Sequence, residues 1–247
     1  MVVFGQGAPN KIKKIGSRQG RCLSVWSEEK GFCRIYPVPY GYVHDWEIVD
    51  FEGRLPTNDG RENSFVIFNY EQEWENLSKR IIVHKEKNRL GNIVKKSLKR
   101  DQWIELTRKL ANDSFSEVRD NKKSFGLIKP SHFKLELKKN QEKSEGQTLL
   151  TDPDAIIMNQ NDYAWLPSVE YSCFKNCKSK HPHHSKLVEW GAYQWMMKDP
   201  NNNEHCIKLV ENYHVDEANY EHYLLIGNIR TYPKTYVVVK IIRFKVK

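Results

Sequence analysis

The stretch "CFKNCKSKHPHHSKLVEWG", residues 173–191, gathers two cysteines and three histidines into twelve positions and then turns apolar. How it folds decides the C-terminal half of the chain. Proline suits the first turn of a helix, because its fixed φ is helical and its missing N–H has no intrahelical partner there. Pro182 therefore places a helix start here, with His181 near the cap and His183 and His184 in the first turn. Leu187, Trp190, Tyr193 and Met197 follow at helical spacing, and Val188, Ala192 and Trp195 form a second stripe beside them. An apolar face that wide is a core face.

Outward from that helix, "WLPSVEYSCF" (165–174) reads as a strand entering the motif and "EHCIKLVENYH" (204–214) as a second helix. "HYLLIGN" (222–228) and "TYVVVKIIRFKVK" (235–247) close the chain as a hairpin. In the N-terminal half, "RCLSVW" (21–26) and "FCRIYPV" (32–38) flank a turn closed by Gly31. Cys22 and Cys33 lie within these strands and are expected to be buried and unpaired. "DWEIVDFE" (45–52) and "SFVIFNY" (64–70) are further strands, separated by a loop of Pro, Asn, Asp and Gly.

From Leu98 the period becomes helical, with Trp103, Leu106 and Leu110 on one face. Ser114 and Glu117 have capping-box spacing for a short following helix. In "HFKLELKK" (132–139) Phe133, Leu135 and Leu137 alternate with charges, the mark of a half-buried strand. The expected fold is α+β. It has a β-rich, barrel-like module over 1–138 with helices near 98–121, an irregular linker over 139–162, and a module over 163–247 of helices packed on a hairpin with a metal-binding turn.

The formal charge is +9, from 40 Lys and Arg against 31 Asp and Glu. That excess favours a polyanion such as nucleic acid as partner. A protein partner is the alternative if the positive surface is incidental. No apolar run approaches the roughly 18 residues of a membrane span, and the N-terminal stretch lacks a secretory apolar segment. The chain reads as cytoplasmic, where thiols stay reduced. Five cysteines, an odd number, fit a disulfide framework poorly.

Cys173 and Cys177, followed by His181, His183 and His184, have the spacing of a small zinc site: a close cysteine pair, then histidine. A polar loop without metal, and a catalytic metal or redox pair, are the competing readings. Iron–sulfur is disfavoured, since two local cysteines fall short of the usual four. Lys175, Lys178 and Lys180 interleave the motif, and Lys95, Lys96, Lys99 and Arg100 belong to a second basic run, "KEKNRLGNIVKKSLKR" (85–100). Lysines 95, 96, 175, 178 and 180 are expected to share one positive surface. Asp59, Arg61 and Glu62 concentrate charge in a loop, either as a functional site or as a brace that fixes it. No phosphate loop, dinucleotide fingerprint or serine elbow is present. The function expected is a non-enzymatic, nucleic-acid-binding protein or adaptor with one structural zinc. The alternative is a metal-dependent nuclease, for which Asp120 and Glu136-Leu-Lys138 loosely fit.

"GRCLSVWSEEKGFCRIYPVP" (20–39), "DGRENSF" (59–65), "KSFGLIKP" (123–130), "HHSKLVEW" (183–190) and "YLLIGNIRTYPKTYVVV" (223–239), in that order, resemble a family of bacterial and archaeal proteins without an established activity. The resemblance implies that Cys173, Cys177, His183 and His184 belong to a recurrent cysteine/histidine cluster. The spacer from Cys177 to His183 is longer here than in that pattern, which leaves the choice among the three histidines open.

Overall fold

The computed structural model describes residues 1–12, 15–16, 18–57, 59–111, 114–140, 163–174, 177–215 and 217–246. Lys175 and most of the expected 139–162 linker lie outside the described residues. Two hairpins frame the molecule. β1 (Val2–Gln6) and β2 (Asn10–Lys11) pair with β3 (Gln19–Ser27), and β3 turns into β4 (Gly31–Val38) at Gly31, whose φ of 66° few other residues tolerate. β5 (Val49–Phe51), β6 (Gly53–Arg54) and β7 (Ser64–Ile67) follow, and a 3-10 turn at Trp74–Lys79 leads to β8 (Ile81–Val83). β9 (Lys85–Lys87) and β10 (Ile93–Lys95) make a two-stranded ribbon.

α1 (Arg100–Leu110) packs Trp103 flat on Trp46, ring centroids 4.7 Å apart, and edge-on to Phe244. α2 (Phe115–Asp120) starts where the capping box puts it, with the Glu117 N–H donating to Ser114 Oγ at 3.2 Å. β11 (Phe125–Ile128) and β12 (Pro130–Lys139) follow, then β13 (Trp165–Cys173), β14 (His183–Lys186), α3 (Trp190–Met197), α4 (Asn203–Asn212), β15 (Tyr220–Asn228) and β16 (Tyr236–Lys245). The alternation read in 132–139 holds, with Phe133 and Leu135 buried and Lys134 and Lys138 exposed. One apolar cluster joins Phe4, Phe125, Tyr223 and Phe244, so both chain ends share a core.

The expected α+β architecture is overturned. The protein is 43% strand and 20% helix, its strands divided among five small sheets. The N-terminal module is not a barrel. Its largest sheet runs β1-β3-β4-β7-β6 and ends in two different edge strands, whereas a barrel pairs first with last. β4 and β7 pair in parallel, so the chain between them must travel away to form β5 and β6 before it returns.

The helix expected from Pro182 is also absent. His183–Lys186 instead pairs antiparallel with β13, from Tyr171↔His183 to Ser168↔Lys186. Leu187 N–H then donates to Pro167 O (2.9 Å) and Val188 N–H to Val238 O (2.8 Å), which keeps both residues extended. α3 starts only at Trp190. A waiting strand edge offers backbone hydrogen bonds to residues of weak strand propensity, and tertiary pairing outweighs local preference.

Candidate functional site

Three elements converge on the cysteine/histidine motif. β13 ends at Cys173, β14 begins at His183, and the first turn of α2 lies against both. Strand alternation separates the adjacent histidines. His183 turns inward between Phe115 and Tyr171, with ring centroids at 4.7 and 5.0 Å. His184 turns outward, where its Nδ1 lies 3.5 Å from Glu170 Oε2. His181 is exposed, and its backbone N–H rests on Ser179 Oγ at 3.3 Å.

Cys177 Sγ stands 3.1 Å from His183 Nε2, and the ligand atoms of Cys173, Cys177 and His183 all lie within 4.8 Å of one another. A tetrahedral zinc with sulfur at about 2.3 Å and nitrogen at about 2.1 Å has ligand–ligand edges of roughly 3.6 to 3.8 Å. The observed range brackets those edges, so this group can hold a metal ion. Of the five candidate ligands, the structure gathers these three and leaves His181 and His184 outside.

The surroundings polarise the two thiols differently. Burial pushes Cys173 up to about 12, only partly offset by the Phe115 N–H donated to its sulfur at 3.1 Å. Burial also acts on Cys177, but Ser116 Oγ at 3.4 Å and a Ser179 backbone hydrogen bond outweigh it and bring that thiol below its ordinary value. Burial, with Arg119 and His184 nearby, lowers His183 and keeps it the neutral imidazole that metals bind. Ser116 escaped the sequence reading. Its hydroxyl also accepts the Lys178 N–H at 2.9 Å, tying α2 to the turn.

The basic residues do not form one surface. Lys178 pairs with Asp120 at 2.5 Å beside α2, and Lys180 is exposed nearby in sequence. Lys95 folds its ammonium back onto Tyr42 O (2.6 Å) and Glu47 (3.4 Å). Lys99 caps α1 through its N–H on Gln102 Oε1, Arg100 opens that helix, and Lys96 is exposed. Phe115 beside the cysteines touches Tyr236 at the start of β16, whereas Trp103 beside the second run touches Phe244 near its end. Those contacts are eight positions apart along the strand, roughly 26 Å. The two groups therefore sit at opposite ends of β16.

The carboxylates considered for nuclease chemistry are engaged: Asp120 by Lys178 and by Arg119 at 3.1 Å, Glu136 by Lys134 at 2.6 Å. In the 59–63 loop the brace is present. Arg61 donates to Asp59 through Nε (2.8 Å) and Nη2 (2.5 Å), while Glu62 is exposed and its backbone carbonyl accepts from Ser124 Oγ.

Sequence reasoning also missed Arg34, buried in β4 between buried Cys33 and Ile35. A cation inside a buried strand run was the available signal. Cys33 is buried as expected, but Cys22 is only half-buried, because it opens onto a cavity. No helix among the described residues is long and apolar enough to cross a membrane. Comparison with protein-family models, curated proteins and solved structures finds no match to this chain.

Proposed function

We propose that the protein binds nucleic acid through the β9–β10 ribbon, and that a zinc ion on Cys173, Cys177 and His183 fastens the β13–β14 turn to α2. The ribbon is the observation that carries the first part. Every residue from 85 to 97 is exposed. Over residues 85–100 the chain carries seven Lys and Arg and the single acid Glu86. Lys87, Arg89 and Lys96 have no acidic partner among the described residues. Leu90 and Ile93, 85% and 69% exposed, stand at the tip. An isolated two-stranded hairpin is marginal in water, and apolar side chains at its tip serve a contact better than solvent. The major groove of a duplex admits a two-stranded ribbon.

Zinc is favoured at the cluster because paired thiolates and an imidazole are its usual ligands. Water or His181 from the exposed turn completes the shell.

The test is a gel shift on duplex DNA and RNA, comparing the full chain with a variant whose residues 86–94 are replaced by Asn-Gly, a turn that closes Lys85 onto Lys95. Loss of binding with unchanged melting temperature supports the ribbon. Equal binding by both proteins refutes it. Cleavage on adding magnesium, abolished by Asp120→Asn, would make the protein a nuclease instead.

A further inference from the structure

We propose that the cavity between β4, the 59–63 loop and the β15–β16 turn binds a small phosphate monoester that carries a planar ring. The cavity measures about 630 Å³, within the span of small-molecule sites. Arg34, Arg54, Arg61, Lys186 and Arg230 line it against the carboxylates of Asp59 and Glu71, an excess of three positive charges. Low-dielectric walls strengthen the field of that excess.

The deep end is built rather than incidental. Arg34 is 6% exposed, and its Nη2 donates to Ser124 O, Asn228 O (2.9 Å) and Asn228 Oδ1. Arg61 Nη1 donates to the same Asn228 carbonyl oxygen at 3.1 Å, so two guanidiniums meet at one atom. Asp59 is bonded to Arg61 and also acts on Arg34 and Arg230. Arg34 Nε and Ser64 Oγ are buried with no hydrogen-bond partner among the described residues. A buried donor left unmade is costly, and a bound oxyanion satisfies it. Burial lowers the Arg34 pKa and Arg61 lowers it further, against the opposing influence of Cys22 and Asp59.

A phosphate suits this end better than a carboxylate. Its two charges and three oxygens match Arg34 Nε, the Ser64 hydroxyl and the cations that line the cavity. Tyr36 and Phe65 on the walls offer faces to a flat ring. Arg54, Lys186 and Arg230 are exposed and sit at the rim. Cys22 lines the same cavity and neighbours Arg34, so its thiol reports occupancy.

Calorimetric titration with adenosine and uridine 5′-monophosphates, against the uncharged nucleosides, tests the proposal. The expected result is saturable binding of the monophosphates, at least about tenfold tighter than the nucleosides, since one charged hydrogen-bond pair is worth that factor. Arg230→Gln, at the exposed rim, should fold normally and weaken the monophosphates by about tenfold. Saturating monophosphate should also slow alkylation of Cys22 by iodoacetamide, read by mass spectrometry. The ribbon-shortened variant should keep this binding, which separates the cavity from the nucleic-acid contact. Nucleosides binding as tightly as their monophosphates, or no binding and no protection of Cys22 at millimolar monophosphate, would overturn it.

Discussion

At the residue scale, two adjacent histidines have opposite surroundings because a strand sends them to opposite faces. His183→Ala should abolish binding of about one zinc per chain, whereas His184→Ala should leave it intact; metal analysis of the purified variants decides between them. The cysteine pair was legible from spacing alone, and which histidine lies beside it was not. Choosing it required knowing that residues 183–186 are extended, since only a strand sends neighbouring side chains to opposite faces. The Asp59–Arg61 brace also acts at this scale. Burial raises the Asp59 carboxyl, but the Arg61 hydrogen bonds outweigh it and hold it below the usual carboxylate range. A depressed carboxylate stabilises the fold above its unfolded pKa, about 3.9, and that contribution fades as pH falls through the folded value. Asp59→Asn should therefore cost about 1–3 kcal/mol near neutral pH, with the gap to the parent narrowing below about pH 4. Urea midpoints across that range measure it, and a gap independent of pH would contradict the assignment.

At the element scale, α2 connects the N-terminal chemistry of the motif to the β11–β15–β16 sheet. A Cβ on Gly126 in β11 would lie 2.3 Å from Val118 Cγ2 on α2, far inside van der Waals contact. Gly126→Ala should push α2 outward, cost about 1–3 kcal/mol, and weaken metal binding by moving Phe115 and Ser116 off the two thiols. Thermal melts and zinc competition would show both effects; destabilisation with unchanged zinc affinity would separate α2 from the site. The capped start of α2, the α1 stripe and both hairpins were legible, because each is set by local periodicity and turn chemistry. β14 was not. Its sequence His-His-Ser-Lys has no strand formers, and only the edge of β13 makes it a strand.

At the scale of the whole molecule, charge and cavity arise from segments that meet only in the fold. Arg34 and Asn228 are 194 positions apart, and no periodicity links them, so the cavity was invisible in sequence. The +9 charge was legible, but the separation of its two basic runs along β16 was not. That separation leaves the ribbon as the exposed basic element with an apolar tip and unpaired cations. The most direct test measures duplex affinity against salt concentration for the parent and the ribbon-shortened variant. Each lost phosphate contact flattens the slope of log K against log salt by about 0.9. Removing Lys87 and Arg89 with the ribbon should flatten it by about two units and weaken binding to all sequences alike. An unchanged slope would place the nucleic-acid contact elsewhere and contradict the account.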